Sequence, residues 1–449
     1  MRHLFIISLA VFFSFFSQKV SAQGSPVSKS VNDYFEEGTQ KYIKQDYNGA
    51  IAAFSVAISM NNDNPVLYYN RGIAKAALKD HRGAISDYDK AIDLNSKDKE
   101  SYFGRGESKR QQEDLKGALQ DFNRVLELAP NDPATFFKRG QIRAKLEDYK
   151  RALSDFNKSV ELDANNAQSY YYRGQCRVKL EDYFGGINDF SEAIKLSPKR
   201  SQFYSGRGYA FVKTQQYKQS LEDYTKAISL NPDEPESYYY HGFCKGQLGD
   251  FNGALADFDN AIAKKGDYVE AYYGRGFAKS RLGQQKDALL DLNKSIELNN
   301  NVTEKALYTG PISKSVLDDL RSTIQEKTKL NEMTSERSEA FYIRGNSKNK
   351  LGDTKGAILD FNRAIEMNPI FAEAYFARAM TRSYTGDQKG AIQDFSNTLK
   401  LNPKFAEAFY MRGIIQNALG DVNAGCLDLS KAGELGYNPA YNVIKDYCQ

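Results

Sequence analysis

A small residue returns every 34 positions along most of this 449-residue chain, and that spacing leaves few folds open. It stands at Gly38, Gly72, Gly106, Gly140, Gly174, Gly208, Gly242 and Gly276, and resumes at Gly345, Ala379 and Gly413. An aromatic lies four residues before each, from Tyr34 and Tyr68 to Phe409. Twelve residues after comes a small residue such as Ala118, and sixteen after a large one such as Phe122 or Leu292. A fixed period of this length marks a stack of like supersecondary units, because one unit alone cannot bury its apolar face.

Inside a unit the spacings are helical. In the third, Tyr102, Gly106 and Lys109 follow i, i+4, i+7, and Ala118, Phe122 and Val125 repeat the pattern on a second segment. Polar stretches such as Gln112-Glu113-Asp114 make the turn, and Pro130, Pro198, Pro232, Pro369 and Pro403 sit just past the second helix, where proline ends a helix without breaking it. A glycine inside a helix costs about 1 kcal/mol relative to alanine. Its return predicts close approach of two helices, with Gly106 facing Ala118 and Phe122 filling the space beside Tyr102. The expected class is all-α, a solenoid of tandem helix–turn–helix units.

These positions closely resemble the tetratricopeptide repeat (TPR), and the resemblance covers roughly residues 31–439. It implies a right-handed superhelical solenoid with eight units (31–64, 65–98, 99–132, 133–166, 167–200, 201–234, 235–268 and 269–302), then three more (338–371, 372–405 and 406–439), and a capping helix at 440–449. Two positions depart from the family. The residue before the glycine, usually Leu, is Arg71, Arg105, Arg139, Arg173, Arg207, Arg275, Arg344, Arg378 or Arg412, and three residues after it stand Lys75, Lys109 or Arg143 where Tyr is common. Asp87, Asp121, Asp155 and their counterparts precede the large residue of the second helix. A packed Arg–Asp pair within or between units is one reading, and two separately solvated charges the other. Unit one has Glu37 and Ala53 at these positions, and His241 stands opposite Asp257.

The period is interrupted once. Gly276 and Gly345 are 69 residues apart, two periods plus one, so residues 303–337 occupy a slot without the signature. Gly310-Pro311 breaks any first helix there, while 312–331 reads as a second helix with Val316, Leu317, Leu320 and Ile324 apolar. A degenerate repeat and an extruded insert, serving as hinge or binding element, both fit.

The first residues read as a targeting signal. Arg2 precedes an apolar run over residues 4–16, shorter than the roughly 20 residues that a membrane span needs. Val20-Ser21-Ala22 matches the small-x-small pattern of signal peptidase, which puts cleavage between Ala22 and Gln23; an uncleaved anchor is the alternative. The expected chain is exported, whether periplasmic, envelope-associated or secreted, with residues 23–30 as a short linker and no transmembrane segment once processed. Disulfides are permitted there. Losing Arg2 and Lys19 with the signal takes the net charge from +4 to +2, too balanced for a nucleic-acid partner.

Catalytic material is scarce. There are three histidines, and the sequence has no glycine-rich phosphate loop, G-x-S-x-G, H-E-x-x-H or paired-cysteine metal spacing. No enzyme activity, cofactor or metal is expected. The glycosylation triplets at Asn157 and Asn293 fall on expected helices, and a third starts at Asn301. Cys176 and Cys244 are two units apart, too far for a disulfide given helix spacings of roughly 8–10 Å, and should be free and buried. Cys426 lies on the last second helix and Cys448 near the end of a terminal helix that can fold back on it. A Cys426–Cys448 disulfide closing the cap and two unpaired thiols in a frayed end are the alternatives.

In the resembled family the first helices line a concave groove that holds peptide segments. The residue implied to point there is Phe35, Tyr69, Phe103, Phe137, Tyr171, Tyr239, Tyr273, Tyr342, Phe376 and Tyr410, broken by Ser205. Such aromatics serve as interface anchors, or pack within the fold. The Asn/Lys set that clamps a peptide C-terminus in some members is missing except for Asn346, which disfavours a chaperone-tail receptor. The expected function is an exported, non-enzymatic scaffold binding a protein or peptide partner in this groove. The alternative is a structural subunit of a cell-envelope assembly that uses the convex face and ends.

Overall fold

Two local signals set the helix pairs. Asp46, Asp80, Asp114, Asp148, Asp182, Asp250, Asp353, Asp387 and Asp421 each cap a second helix, the carboxylate accepting the backbone N–H three residues on. The residue before each cap has a left-handed backbone, with φ 62° at Glu113 and 90° at Gly386, which turns the chain back on itself. In the computed structural model, which describes residues 29–308 and 337–448, this device recurs in both halves of the chain, while Gln216 starts its helix without a side-chain cap bond.

The chain divides into two compact units, Met1–Ala164 and Asn165–Gln449. The first contains the hairpins Val31–Ile43/Tyr47–Met60, Pro65–Ala77/His81–Leu94, Lys99–Gln111/Leu115–Leu128 and Pro133–Lys145/Tyr149–Leu162. The second runs from Ala167–Lys179/Tyr183–Leu196 to Ala406–Ala418/Val422–Glu434 in the same manner and ends with Pro439–Tyr447. The described residues contain no strand. The protein is all-α, a tandem of paired helices.

The core of a typical hairpin is an alanine and a ring, with Leu292 and Leu429 in place of the ring in two of them. Ala118 and Phe122 are fully buried, and a Cβ on Gly106 would lie 3.1 Å from the Phe122 ring. The glycine therefore makes room for the ring sixteen residues on. Two details differ from the sequence reading. The ring paired with Phe122 is Phe103, 5.5 Å away, rather than Tyr102. Tyr102 instead lies under the Arg105 guanidinium at 5.3 Å, the same group that bridges to Asp121 on the second helix. Phe35–Phe54, Tyr69–Tyr88, Tyr239–Phe258 and Phe376–Phe395 repeat the pairing of Phe103 with Phe122 at 5.6–6.0 Å.

The stack passes straight from repeat 269–302 to repeat 338–371. Arg344 donates to Asn293 at 2.8 Å, the contact that Arg378 makes to Asn362 in the adjacent pair of repeats. Ser280 and Ser347 hydroxyls meet at 3.2 Å, and Ile296 shares a core with Ala340 and Phe341. The slot that the spacing reserves is closed between these neighbours. The helix Gln285–Tyr308 runs on for 24 residues. Residues 309–336, which hold most of the segment read as degenerate repeat or insert, lie outside the described residues, as does the cleavage site at Ala22 and Gln23. No described helix is long and apolar enough to cross a membrane.

At the C-terminal end Pro439–Tyr447 folds back on the last hairpin. Ala440 joins Leu429 and Ala432 in one core, and the Tyr441 hydroxyl donates to the Gly433 carbonyl at 3.0 Å. Cys426 and Cys448 are disulfide-bonded there, with Cα atoms 5.6 Å apart.

Candidate functional site

The charged residues of the first helices form a ladder. Arg71 donates through Nε and Nη2 to both Asp87 oxygens at 2.9 and 2.6 Å, and through Nη1 to Ser55 of the preceding repeat at 3.1 Å. Lys75 adds a third cationic contact to Asp87 at 2.8 Å. Arg105, Asp121, Lys109 and Asp89 repeat the arrangement; in the second unit so do Arg275, Asp291, Lys279 and Asp259. Both departures from the family pattern thus converge on one buried carboxylate. The sequence reading passes over the acceptor in the preceding repeat, although Ser55, Asp89, Asn123, Ser191, Thr225, Asp259, Asn293, Asn362 and Ser396 keep the 34-residue period or its 69-residue break. His241 holds the place of the arginine, with Nδ1 2.8 Å from Asp257 and Nε2 3.0 Å from Thr225.

This ladder explains the shifted carboxyls without invoking catalysis. Burial pushes Asp189 and Asp223 up against the pull of Arg173 and Arg207. Their partners are cations of the same framework, bonded bidentately. The triplet at Asn293 is likewise structural: its amide oxygen serves Arg344, and Ser295 is buried. Cys176 and Cys244 are buried and free, and burial pushes their thiols up to about 12 and about 11, away from nucleophilic thiolate chemistry. No cluster of His, Cys, Asp and Glu among the described residues could hold a metal.

The aromatic row of Tyr69, Phe103, Phe137, Tyr171, Tyr239, Tyr273, Tyr342, Phe376 and Tyr410 is half-buried at every position. Several of its rings also reach the following first helix or its N-cap residue: Tyr171–Phe203 at 5.1 Å, Tyr239–Tyr268 at 5.3 Å, Tyr342–Phe371 at 5.0 Å and Phe376–Phe405 at 4.7 Å. Much of each ring is therefore mortar between hairpins. Burial raises the Tyr171 hydroxyl to about 12. A second row follows the repeat glycine, one turn further along the same helices. In the second unit it is half-buried and apolar at Tyr209, Phe243, Phe277, Met380 and Ile414, and polar at the exposed Gln175 and at Asn346; in the first it includes Glu107 and Gln141. The sequence reading does not single out this row, although it too keeps the period. The two rows meet at a cleft of about 160 Å³, walled by Tyr239, Phe243, Val269, Tyr273, Ile296 and Ala340, with Glu270, Arg337 and Glu339 at its edges.

Family signatures described as tetratricopeptide repeat match residues 69–133, 133–166, 269–302 and 338–371, and one described as TPR repeat matches 208–244. No curated protein matches the sequence. Among solved structures, YrrB, described as a TPR protein with an unusual peptide-binding site, is 24% identical over 39% of this chain and 91% of its own, with a TM-score of 0.36. A tetratricopeptide repeat protein from Parabacteroides merdae is 19% identical over 62% of this chain and 97% of its own, with a TM-score of 0.36. Yeast Tom70 is 15% identical over 93% and 95%, also with a TM-score of 0.36.

Proposed function

We infer the role of this chain from what it is, a long tandem array of tetratricopeptide repeats: an exported scaffold, with no reaction of its own, that holds a protein or peptide partner on its first-helix face. One observation carries the reading. In the second unit two mainly apolar rows, broken by Ser205 in one and by Gln175 and Asn346 in the other, run side by side on that face, and they line a cleft at Tyr239, Phe243 and Tyr273. A partner seated there would bury half-exposed rings of the kind that dominate interface energetics. The test is capture from the native source by wild-type protein and by Phe243→Ser with Phe277→Ser. The variant should stay folded, with a lower unfolding transition because Phe243 packs on Tyr217 and Tyr239 and Phe277 on Phe251, and lose the partner at a temperature where both proteins are native; equal capture by both overturns the reading. Export rests on residues 1–22 alone, and N-terminal sequencing of native protein should find Gln23 first.

A second reading has its own observation. Leu290, Leu359 and Leu427 occupy one repeat position on second helices and are 65–73% exposed. They suit a structural subunit of an envelope assembly that docks through the opposite face. Changing these three to Ser should leave the proposed partner bound. A large native complex that disperses in this variant, and not in the Phe243 and Phe277 variant, favours the assembly role instead.

A further inference from the structure

We propose that the cleft at Tyr239 and Tyr273 is a seat for an apolar side chain with a carboxylate beside it, the carboxylate being held by Arg337. The proposal rests on the reading of the first-helix face as peptide-binding and names the chemistry that the face selects. Its size suits one side chain: the cleft is about 160 Å³, and an apolar cavity of roughly 150 Å³ accepts a benzene-sized group. Its aromatic and aliphatic residues supply the apolar wall, and Ser295, Asn299, Glu270, Arg337 and Glu339 the polar part of the lining.

The charge requirement comes from Arg337. Its side chain is half-buried, and its Nε is fully buried without an acceptor. Burial lowers its pKa, and the charged group that bears on it, Arg363, is another cation that lowers it further. Arg363 has its own partner, Glu366, at 2.8 Å. The two acids at the cleft are also accounted for. Glu339 accepts the Tyr273 hydroxyl at 3.0 Å, and Glu270 sits in the first turn of Val269–Arg281, where a helix N-terminus stabilises negative charge. Seven residues on, Arg344 has Asp360 at 2.5 Å, as the other ladder arginines have their aspartates. A half-buried guanidinium with no anion beside it leaves charge-assisted bonding unused, and a ligand carboxylate would supply it at the guanidinium nitrogens other than the buried Nε.

The probes are two terminally blocked peptides, acetyl-Ala-Asp-Leu-Ala-amide and its Asn twin, titrated into the full-length processed protein and followed by ligand-observed NMR. The Asp peptide should bind about tenfold tighter, the range of one hydrogen bond to a charged group. Arg337→Gln should remove that preference without weakening the Asn peptide, and Arg337→Lys should restore part of it. Equal binding of the two peptides, binding of neither, or a preference that survives Arg337→Gln overturns the seat. Equal binding that is lost in Phe243→Ser would overturn the carboxylate and leave the peptide-binding face standing. Failure of the face itself shows separately, as unchanged partner capture by the Phe243 and Phe277 variant.

Discussion

Asp121 shows how much one residue of the ladder carries. It is 2% exposed and bonds Arg105 and Lys109, so Asp121→Asn leaves two cations short of a counter-charge. Breaking a buried pair in this way costs roughly 3–5 kcal/mol. Hydrogen exchange across residues 99–132 should accelerate accordingly. Asp89, on the other side of the same arginine, has a side chain 51% exposed, and Asp89→Ala should cost under about 1 kcal/mol. Similar losses at both sites would mean that the ladder is not the layered arrangement described. Tyr239 gives the matching test for the aromatic row. It packs on Tyr240, Phe258 and Tyr268, so Tyr239→Ala should destabilise by roughly 3–5 kcal/mol in urea unfolding. That result separates mortar from anchor, and it is why the partner-capture test uses Phe243 and Phe277. The period brought each Arg and Asp forward as candidates for a pair, and the contacts chose the packed pair over two solvated charges. Which of two adjacent aromatics turns to the ring of the second helix could not, because Tyr102 and Phe103 have the same character and only the pull of Asp121 on Arg105 distinguishes their surroundings.

At the scale of the helix, the turn and the cap are separable. Gly386 has φ +90°, and a side chain in the left-handed region costs about 1–2 kcal/mol; Gly386→Ala should lower the unfolding free energy by that amount and bring down the midpoint of thermal unfolding. The helix Tyr217–Leu230 offers a change in the opposite direction. Its N-cap Gln216 has φ −87° and ψ 64°, close to Asp182 at −80° and 70°, but makes no side-chain cap bond. Gln216→Asp should add about 1 kcal/mol, read in the same measurement; no gain would show that the cap is not what starts these helices. Turns and caps are written in short stretches of sequence, so their positions were legible. The break after repeat 269–302 was not. Its 69-residue spacing counts out a further slot, yet Arg344 reaches Asn293 and closes it.

For the molecule as a whole, an array of this kind needs its open ends covered. The disulfide between Cys426 and Cys448 closes a loop of 22 residues over the last core, worth about 3 kcal/mol by loop entropy. Cys448→Ser should increase hydrogen exchange in 422–447 and leave the distant repeats unchanged, and a non-reduced digest of native protein should contain the Cys426–Cys448 peptide pair. Cys176 and Cys244 should react with alkylating reagents only after unfolding. The sequence alone determined the repeat, its helical pairs, their turns and the residues of the charged ladder, because each is a local pattern copied at a fixed interval. The tertiary structure decided which rings became core, which repeats became neighbours across the break, and where the cleft with its unpartnered Arg337 opened. Those outcomes depend on contacts between residues tens of positions apart, whose competition for the same space no period in the sequence encodes.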